Sequence, residues 1–443
     1  MFGTSGIRGP VGETVTADVA LDVGRALGAQ LAARGASRRV VVGRDPRDSG
    51  RLLLDALTAG LRETGTDVLD AGVAATPTVA RAVGPREAGA GVVVTASHNP
   101  APDNGLKLWQ PSGQAFDGDR RADIERRIAA SDWTLEPWDG LGSRTQVDVT
   151  ERHRERLVAA ADAASERVVV DLGNGAGGVT VDVLTELGCE VETLNARPDG
   201  SFPGRPSEPT AEHCESLAAL VRESDATVGI AHDGDADRLR AVAGDGTYLS
   251  GDVTLALFAA DAASAGERVA VPVDTSLAVE EYLAARDIDV ERTPVGDTHV
   301  AAAATAPEVS FGGEPSGAWI WPAETLCPDG PYAACKLVEL AAARPLAERA
   351  GEIPTYPIER GSVTVEAKTA AMERLRERLL AAYDDARVST LDGVRVTTED
   401  GWFLLRASGT QPLIRVTAEA RERERATALF EVASEYVEAA SEG

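Results

Sequence analysis

Lysine is the residue this chain does almost without. Only Lys107, Lys336 and Lys368 occur among 44 basic residues, the rest being arginine, while aspartate and glutamate number 71 and the formal net charge is −27. So acidic a balance excludes nucleic acid and an anionic membrane as partners, since both carry the same sign. It matches a cytoplasm of high salt, where a Debye length of about 3 Å at 1 M screens self-repulsion. The same screening weakens long-range steering, so an anionic substrate has to be held by short-range arginine contacts. Cysteine is scarce too. Cys189, Cys214, Cys327 and Cys335 form no C-x-x-C pair, which indicates neither a disulfide framework nor a thiolate zinc site and fits a reducing cytoplasm. No 18 apolar residues run together, and Arg8, Glu13, Asp18 and Asp22 interrupt the N-terminal stretch, so neither a membrane span nor a signal peptide is expected.

What is present is a repeated strand, loop, helix rhythm. With 443 residues and 43% hydrophobic content the chain exceeds a single core and predicts two to four domains. The first stretch has an apolar-stripe helix over Asp18 to Arg34, a strand at Arg39 to Gly43, a helix over Arg51 to Thr64 and a strand at Gly91 to Thr95. A second opens near residue 150 with a helix and the strand Arg167 to Leu172. A third, from about 248, contains a strand over Arg268 to Val273 and a helix over Leu277 to Ala285. From about 353 the pattern changes. A strand, a helix with apolar Met372, Leu375, Leu379 and Tyr383, two or three adjacent strands and a last helix predict a smaller sheet with helices on one face.

The chemistry concentrates in loops. Asp233-Gly-Asp235-Ala-Asp237-Arg238 follows the strand-like run Thr227 to Ala231, and extended backbone would send all three carboxylates to one side. Converging carboxylates repel unless a cation sits between them, and all-oxygen ligation selects a hard one such as Mg²⁺. An EF-hand is excluded, because its sixth and twelfth positions, glycine and glutamate in that motif, are Arg238 and Gly244. Taken alone, the run is also compatible with a solvated acidic turn. The strand Gly91 to Thr95 runs into Ala96-Ser97-His98-Asn99-Pro100, placing the Ser97 hydroxyl at the carboxyl edge of a sheet, where a nucleophile is useful; taken singly, the motif reads first as a polar turn. Phe311-Gly-Gly-Glu314-Pro-Ser316-Gly317 is a third punctuated loop. In the fourth, Arg406-Ala-Ser408-Gly409-Thr410-Gln411-Pro412 with Arg415 beyond it, two arginines, two hydroxyls and a glycine suit a phosphate dianion. Lys107, just after the serine loop, stands out because lysine can lose its proton when buried and arginine effectively cannot.

Five segments, Gly3-Thr-Ser-Gly-Ile-Arg8-Gly, Thr95-Ala-Ser-His-Asn-Pro100, Asp233-Gly-Asp-Ala-Asp-Arg238, Gly313-Glu-Pro-Ser-Gly317 and Arg406-Ala-Ser-Gly-Thr410, occur in an order and spacing that resemble the α-D-phosphohexomutase superfamily over nearly the whole chain. Phe2 to Arg8 and Gly312 to Trp319 look most like its archaeal phosphoglucosamine mutase branch. The resemblance implies an α/β fold of four domains around a central cleft, three related α/β domains with mixed sheets plus a smaller C-terminal α+β domain. The expected spans are 1–147 with the phosphoserine loop, 148–248 with the metal loop, 249–350 with the sugar-binding loop and 351–443 with the phosphate-binding loop. It further implies exchange of hexose 1-phosphate and 6-phosphate through phosphoserine at Ser97 and a hexose 1,6-bisphosphate. One Mg²⁺ per chain would be held by Asp233, Asp235, Asp237 and the phosphoryl group on Ser97. Arg8, His98, Lys107 and Arg238 would ring the reacting group, with Lys107 the first choice for general acid/base. Glu314 and Ser316 would bind sugar hydroxyls, and Arg406, Ser408, Gly409, Thr410 and Arg415 the other phosphate. A monomer or homodimer is expected. Ala318 stands where many relatives have histidine, Thr298 where lysine or arginine is common, and Gln411 where glutamate is frequent, so the choice among glucosamine, glucose and mannose stays open.

Two other classes compete. Gly173-Asn-Gly175-Ala-Gly-Gly178 matches a dinucleotide fingerprint with Glu192 at the ribose position, the mark of an NAD-linked oxidoreductase, but Asp171 replaces the usual apolar strand residue. A metal-dependent phosphatase would share Ser97 and the acidic run without needing two phosphate-handling regions.

Overall fold

The computed structural model describes residues 1–3, 6–384, 387–408 and 412–441. The chain divides into two compact units, one of residues 1–258 and 315–350, the other of residues 259–314 and 351–443. The stretch 249–350, expected as a third domain, therefore contributes to both.

The first unit opens with β1 (Ile7–Pro10), α1 (Ala17–Ala33), β2 (Arg39–Arg44), α2 (Gly50–Glu63), β3 (Asp67–Val73), α3 (Thr76–Ala82), β4 (Ala90–Val94), β5 (Asp103–Trp109), α4 (Gly118–Ala130) and β6 (Arg144–Gln146). The strands form one mixed sheet in the order β1-β5-β4-β2-β3-β6. Alternation explains its two faces. Val40 and Val42 on β2 pack with Val23, Leu27 and Leu31 of α1 and Leu53, Leu57 and Leu61 of α2. Val41 points the other way, to Val79 and Val83 beyond β3 and to Trp109. Central strands buried on both faces read as continuous valine runs, as β2 and β4 do. Thr16 caps α1 by accepting a hydrogen bond from the Val19 N–H, and the helix stripe falls where its spacing predicts.

A second mixed sheet follows. It is built from α5 (Thr150–Ala160), β7 (Arg167–Asp171), α6 (Gly178–Glu186), β8 (Glu190–Leu194), α7 (Glu215–Glu223), β9 (Val228–His232), β10 (Leu239–Ala243) and β11 (Tyr248–Leu249). Its order is β11-β10-β9-β7-β8, with β8, β7 and β9 parallel and β10 antiparallel to β9. Next come α8 (Gly251–Ala262), β12 (Arg268–Pro272), α9 (Leu277–Ala284), β13 (Asp289–Thr293), α10 (Asp297–Ala303), β14 (Val309–Gly313), β15 (Trp319–Ile320), α11 (Gly330–Ala343) and α12 (Leu346–Ala350). In the second unit β12 runs parallel between β13 and β14.

The last domain is antiparallel. It comprises β16 (Ile358–Thr364), α13 (Lys368–Ala382), β17 (Val388–Ser389), β18 (Val394–Thr397), β19 (Gly401–Ala407), β20 (Leu413–Ala420) and α14 (Arg423–Ser441), in sheet order β16-β20-β19-β18-β17. Among the described residues four strands follow α13 where the sequence predicted two or three; β17 has two residues, too few to show periodicity. Leu375 and Leu379 of α13 and Leu429, Ala433 and Val437 of α14 cover one face, against Phe403, Leu405 and Val416. Among the described residues, no helix is long and apolar enough to cross a membrane.

Candidate active site

The acidic run is not extended. Pairing of His232 with Leu239 makes β9 and β10 a hairpin, so the chain reverses within Asp233 to Arg238. The Ala236 N–H donates to the Asp233 carbonyl oxygen (3.1 Å), with Ala236 in the left-handed region at φ 53°. The three carboxylates converge through this turn rather than through strand alternation. One oxygen from each lies within 4.8 Å of the others, and all three side chains are buried.

Ser97 lies three residues beyond β4, also left-handed at φ 55°, a conformation that a non-glycine residue holds only when its surroundings impose it. Its Oγ donates to Asp233 Oδ2 (2.5 Å) and lies 3.5 Å from Asp237 Oδ1. The imposing groups are visible. Ser97 N–H donates to Thr95 Oγ1 (2.9 Å), and Thr95 Oγ1 donates to Asp45 Oδ2 (2.7 Å). The fully buried Arg47 donates to the carbonyl oxygens of Ser97 (2.9 Å), Asn99 (2.6 Å), Pro100 (2.6 Å) and Asp103 (2.9 Å), while its Nε binds Asp45 (2.9 Å). Ser207 joins the two loops, donating to the Ser97 carbonyl oxygen (2.7 Å) and accepting from the Gly234 N–H (3.0 Å). Gly234 is needed for that approach, since a Cβ there would come within 3.0 Å of the Ser97 carbonyl oxygen.

Positive groups surround the turn. Lys107 belongs to β5, opposite Val93 of β4, and its Nζ binds Asp235 Oδ2 (2.7 Å) and Asp237. Burial disfavours its ammonium, but the charges of Asp235 and Asp237 outweigh this and raise the pKa above the ordinary lysine value. A base role requires a lowered pKa; these surroundings hold the acid form. Burial raises Asp233 to about 8, helped by the charges of Asp235 and Asp237. For Asp235 burial is overcome by Lys107 and by a hydrogen bond from Thr76, leaving its pKa below the usual range. Thr76 Oγ1 donates to Asp235 Oδ2 at 2.5 Å and its N–H to the Asp235 carbonyl oxygen at 2.9 Å. The half-buried His98 is pushed down to about 2 by desolvation and by the charges of Arg238, Arg8 and Lys107, so its ring is neutral. Arg8 lies on β1, opposite Gly105 of β5.

The donor set fits a hard divalent cation. Three buried carboxylates share one space, and Asp235 Oδ1 is a buried acceptor with no hydrogen-bond partner among the described residues.

Other predicted residues fall elsewhere in the fold. The stretch after Ser316 is tied to the exit of the acidic turn, through the Leu239 N–H to the Gly317 carbonyl oxygen (3.0 Å) and a backbone bridge between Arg238 and Ala318. Glu314 belongs to the second unit, where its Oε1 accepts from the Gly296 N–H (2.7 Å). Arg406 and Arg415 are directly opposite each other on β19 and β20, and Arg406 pairs with Asp392 (2.8 Å). Ser408 is buried, with its N–H on the Leu413 carbonyl oxygen (2.9 Å). Gly409, Thr410 and Gln411 lie outside the described residues. The glycine motif after β7 is filled by protein. A Cβ at Gly175 would come within 2.8 Å of the Gly234 carbonyl oxygen, so this turn backs the acidic loop. Sequence reasoning missed Asp45, Arg47, Thr76 and Ser207; the one available signal was Arg44-Asp-Pro-Arg47 at the carboxyl end of a buried strand.

Comparison with known proteins places this arrangement. Four consecutive stretches match the Phosphoglucomutase/phosphomannomutase models, the alpha/beta/alpha domains I over residues 1–135, II over 149–246 and III over 250–356, and the C-terminal domain over 362–435. The chain belongs to this phosphohexomutase superfamily of mutase enzymes, in its archaeal branch. A probable phosphoglucosamine mutase of Methanopyrus kandleri is 45% identical over 442 residues, covering 97% of this chain and 95% of the relative. One from Methanococcoides burtonii is 42% identical over 444 residues, covering 99% of each. The crystal structure of a phosphoglucomutase/phosphomannomutase family protein from Burkholderia thailandensis matches with a TM-score of 0.88 at 30% identity, covering 100% of this chain and 99% of the other.

Proposed function

We propose that the protein interconverts hexose 6-phosphates and 1-phosphates, with glucosamine 6-phosphate as its substrate, through phosphoserine at Ser97 and a 1,6-bisphosphate intermediate. The observation that carries this reading is the Ser97 hydroxyl on Asp233, beside two further buried carboxylates. The names of the archaeal relatives support the choice of sugar.

Asp233, Asp235 and Asp237, with a phosphoryl oxygen on Ser97, would hold Mg²⁺, which when bound supplies charge withdrawal from the transferring phosphoryl group. Ser97 gives its phosphoryl group to the free sugar hydroxyl, the bisphosphate turns end for end, and Ser97 receives the other phosphate. One fixed donor thereby serves both ends of the sugar. Arg8 and Arg238 set the positive field in which charge develops on the transferring group. Lys107, held as an ammonium, supplies the proton to the departing Ser97 oxygen and regains one from the attacking sugar hydroxyl, while His98 stays a neutral ring beside the transferring group. Glu314 and Ser316 bind sugar hydroxyls, and Arg406, Ser408, Gly409, Thr410 and Arg415 hold the phosphate that is not reacting.

The test is a side-by-side isomerase assay on glucosamine, glucose and mannose 6-phosphates with Mg²⁺ and a trace of bisphosphate, together with Ser97→Ala. Glucosamine 6-phosphate is expected to turn over fastest, and Ser97→Ala to be inactive and to lack the phosphoryl adduct by intact mass. Turnover surviving in that variant refutes the phosphoserine route. Free phosphate released without isomer formation would mark a phosphatase instead.

A further inference from the structure

Behind α3, in the first unit, lies a cavity of about 360 Å³, within the size range of small-molecule sites. Its charge is anomalous for this protein. Arg81, Arg86, Arg152 and Arg156 line it against a single lining carboxylate, Glu324, in a chain whose net charge is −27.

The cations are only partly used. Arg156 forms a two-pronged pair with Glu324 (3.0 Å for each contact), and Arg86 donates to the Asp148 carbonyl oxygen (2.6 Å). Arg81 binds Asp329 through Nε (2.6 Å) and has Glu324 3.8 Å from Nη1, with its side chain 10% exposed, and its Nη2 is buried without a hydrogen-bond partner among the described residues. Arg152 is exposed at the cavity and makes no ion pair with the described residues. A buried guanidinium nitrogen left unpaired is costly, and an anion is the group that relieves it. Ala80, Ala82, Pro85, Pro111 and Val149 give the cavity an apolar stretch of wall, beside the polar Thr78, Ser112, His153 and Thr325.

We infer that this cavity is a second ligand site, distinct from the Ser97 site, for a small molecule bearing a phosphate or carboxylate head on a flat apolar body. The guanidiniums of Arg81 and Arg152 take the head, and the alanine, proline and valine wall takes the body. The site shares an element with the acidic turn. Thr76, which binds Asp235, and Arg81 lie on the same helix α3, and His153 binds both Thr78 (2.8 Å) and the Asp329 partner of Arg81 (3.2 Å).

Calorimetric titration of the full chain with phenyl phosphate, benzoate and inorganic phosphate tests this. Phenyl phosphate should bind at least about tenfold more tightly than inorganic phosphate, because only it covers the apolar wall. Benzoate separates the two head groups, since comparable binding assigns the site to anions of either kind and absence assigns it to phosphates. Ser112→Trp, which fills the cavity mouth, and Arg152→Glu, at an exposed position, should each weaken phenyl phosphate at least about tenfold while leaving basal mutase turnover unchanged. No heat from the wild type with any of the three, or equal binding by the wild type and both variants, overturns the assignment.

Discussion

The serine and acidic loops of the first unit and the two arginines of the last domain handle charge in opposite ways. Around Ser97 the carboxylates and Lys107 are buried, and most of these charges already have a protein partner. Asp45 meets Arg47, Lys107 meets Asp235 and Asp237, and Ser207 bridges the loops. On β19 and β20 two like charges stand opposite each other, an arrangement that costs stability unless an anion lies between them. Arg415 is exposed and Arg406 is only partly covered, paired to one side with Asp392. On the proposed function, the first region is preorganised for bond making and the second is completed by its ligand. Pre-set electrostatics is what transferring phosphoryl charge requires, whereas a binding clamp gains from groups left under-used until substrate arrives.

That contrast breaks first at Asp233. Its raised pKa says that the folded protein disfavours this ionised carboxylate beside Asp235 and Asp237. Asp233→Asn keeps an oxygen for the Ser97 hydroxyl but removes a charge. Turnover should fall by roughly 10²–10³ or more, while the melting temperature in the presence of a chelator stays level or rises. A variant that loses stability and keeps activity would show that the turn is structural. The next effect belongs to Arg47. Arg47→Met leaves Asp45 buried without its partner and frees four carbonyl oxygens, so unfolding free energy should drop by about 3–5 kcal/mol. Arg47→Lys restores the charge without the planar fork and should recover stability more than kcat, because the left-handed Ser97 depends on the fork reaching several carbonyls at once.

The opposite outcome is expected in the last domain. On the proposed function Arg415→Ala removes one charge-assisted contact to substrate phosphate, and KM should rise roughly tenfold, the equivalent of about 1.4 kcal/mol, with kcat changed little. Its melting temperature should not fall, since the facing Arg406 loses a like-charged neighbour. A large kcat effect without a KM effect would put Arg415 in the chemistry and erase the difference between the two regions.

Much of the fold and part of the site could be read from the chain. Helix stripes such as Val23, Leu27 and Leu31 and buried valine runs such as Val40 to Val42 announce themselves because burial imposes their period. The acidic triplet was readable as a cluster but not as a turn, since the reversal is set by the pairing of β9 with β10 and by the left-handed Ala236, neither of which composition reveals. The β5 strand was hidden behind Pro102, Asn104 and Gly105, which look like turn residues, so Lys107 could be placed after the serine loop but not on a strand. The reach of Arg47 across the serine loop, and Thr76 and Ser207 altogether, were invisible for a different reason. Their partners are 50, 159 and 110 residues away, and a hydrogen bond across such a separation leaves no local periodicity to detect.

The smallest effect concerns the surface. The chain has 71 acidic and 44 basic residues, so even if every arginine and lysine were paired, acidic groups would remain to repel one another. Salt acts on this surface in two directions. It weakens exposed pairs such as Arg126 with Asp132, worth about 0–1 kcal/mol each, and it relieves the repulsion among the unpaired carboxylates. The lysines tip the balance, because Lys107, Lys336 and Lys368 all have partners, with Lys107 buried and the other two partly covered, which leaves the exposed basic surface to arginine. Arginine holds a carboxylate through a fork whose geometry persists when its Coulomb attraction is screened. Relief of repulsion should therefore win, and the melting temperature should climb from dilute buffer to molar KCl. A flat or falling curve would mean that the pairs dominate and that the acidic surface is no adaptation to salt.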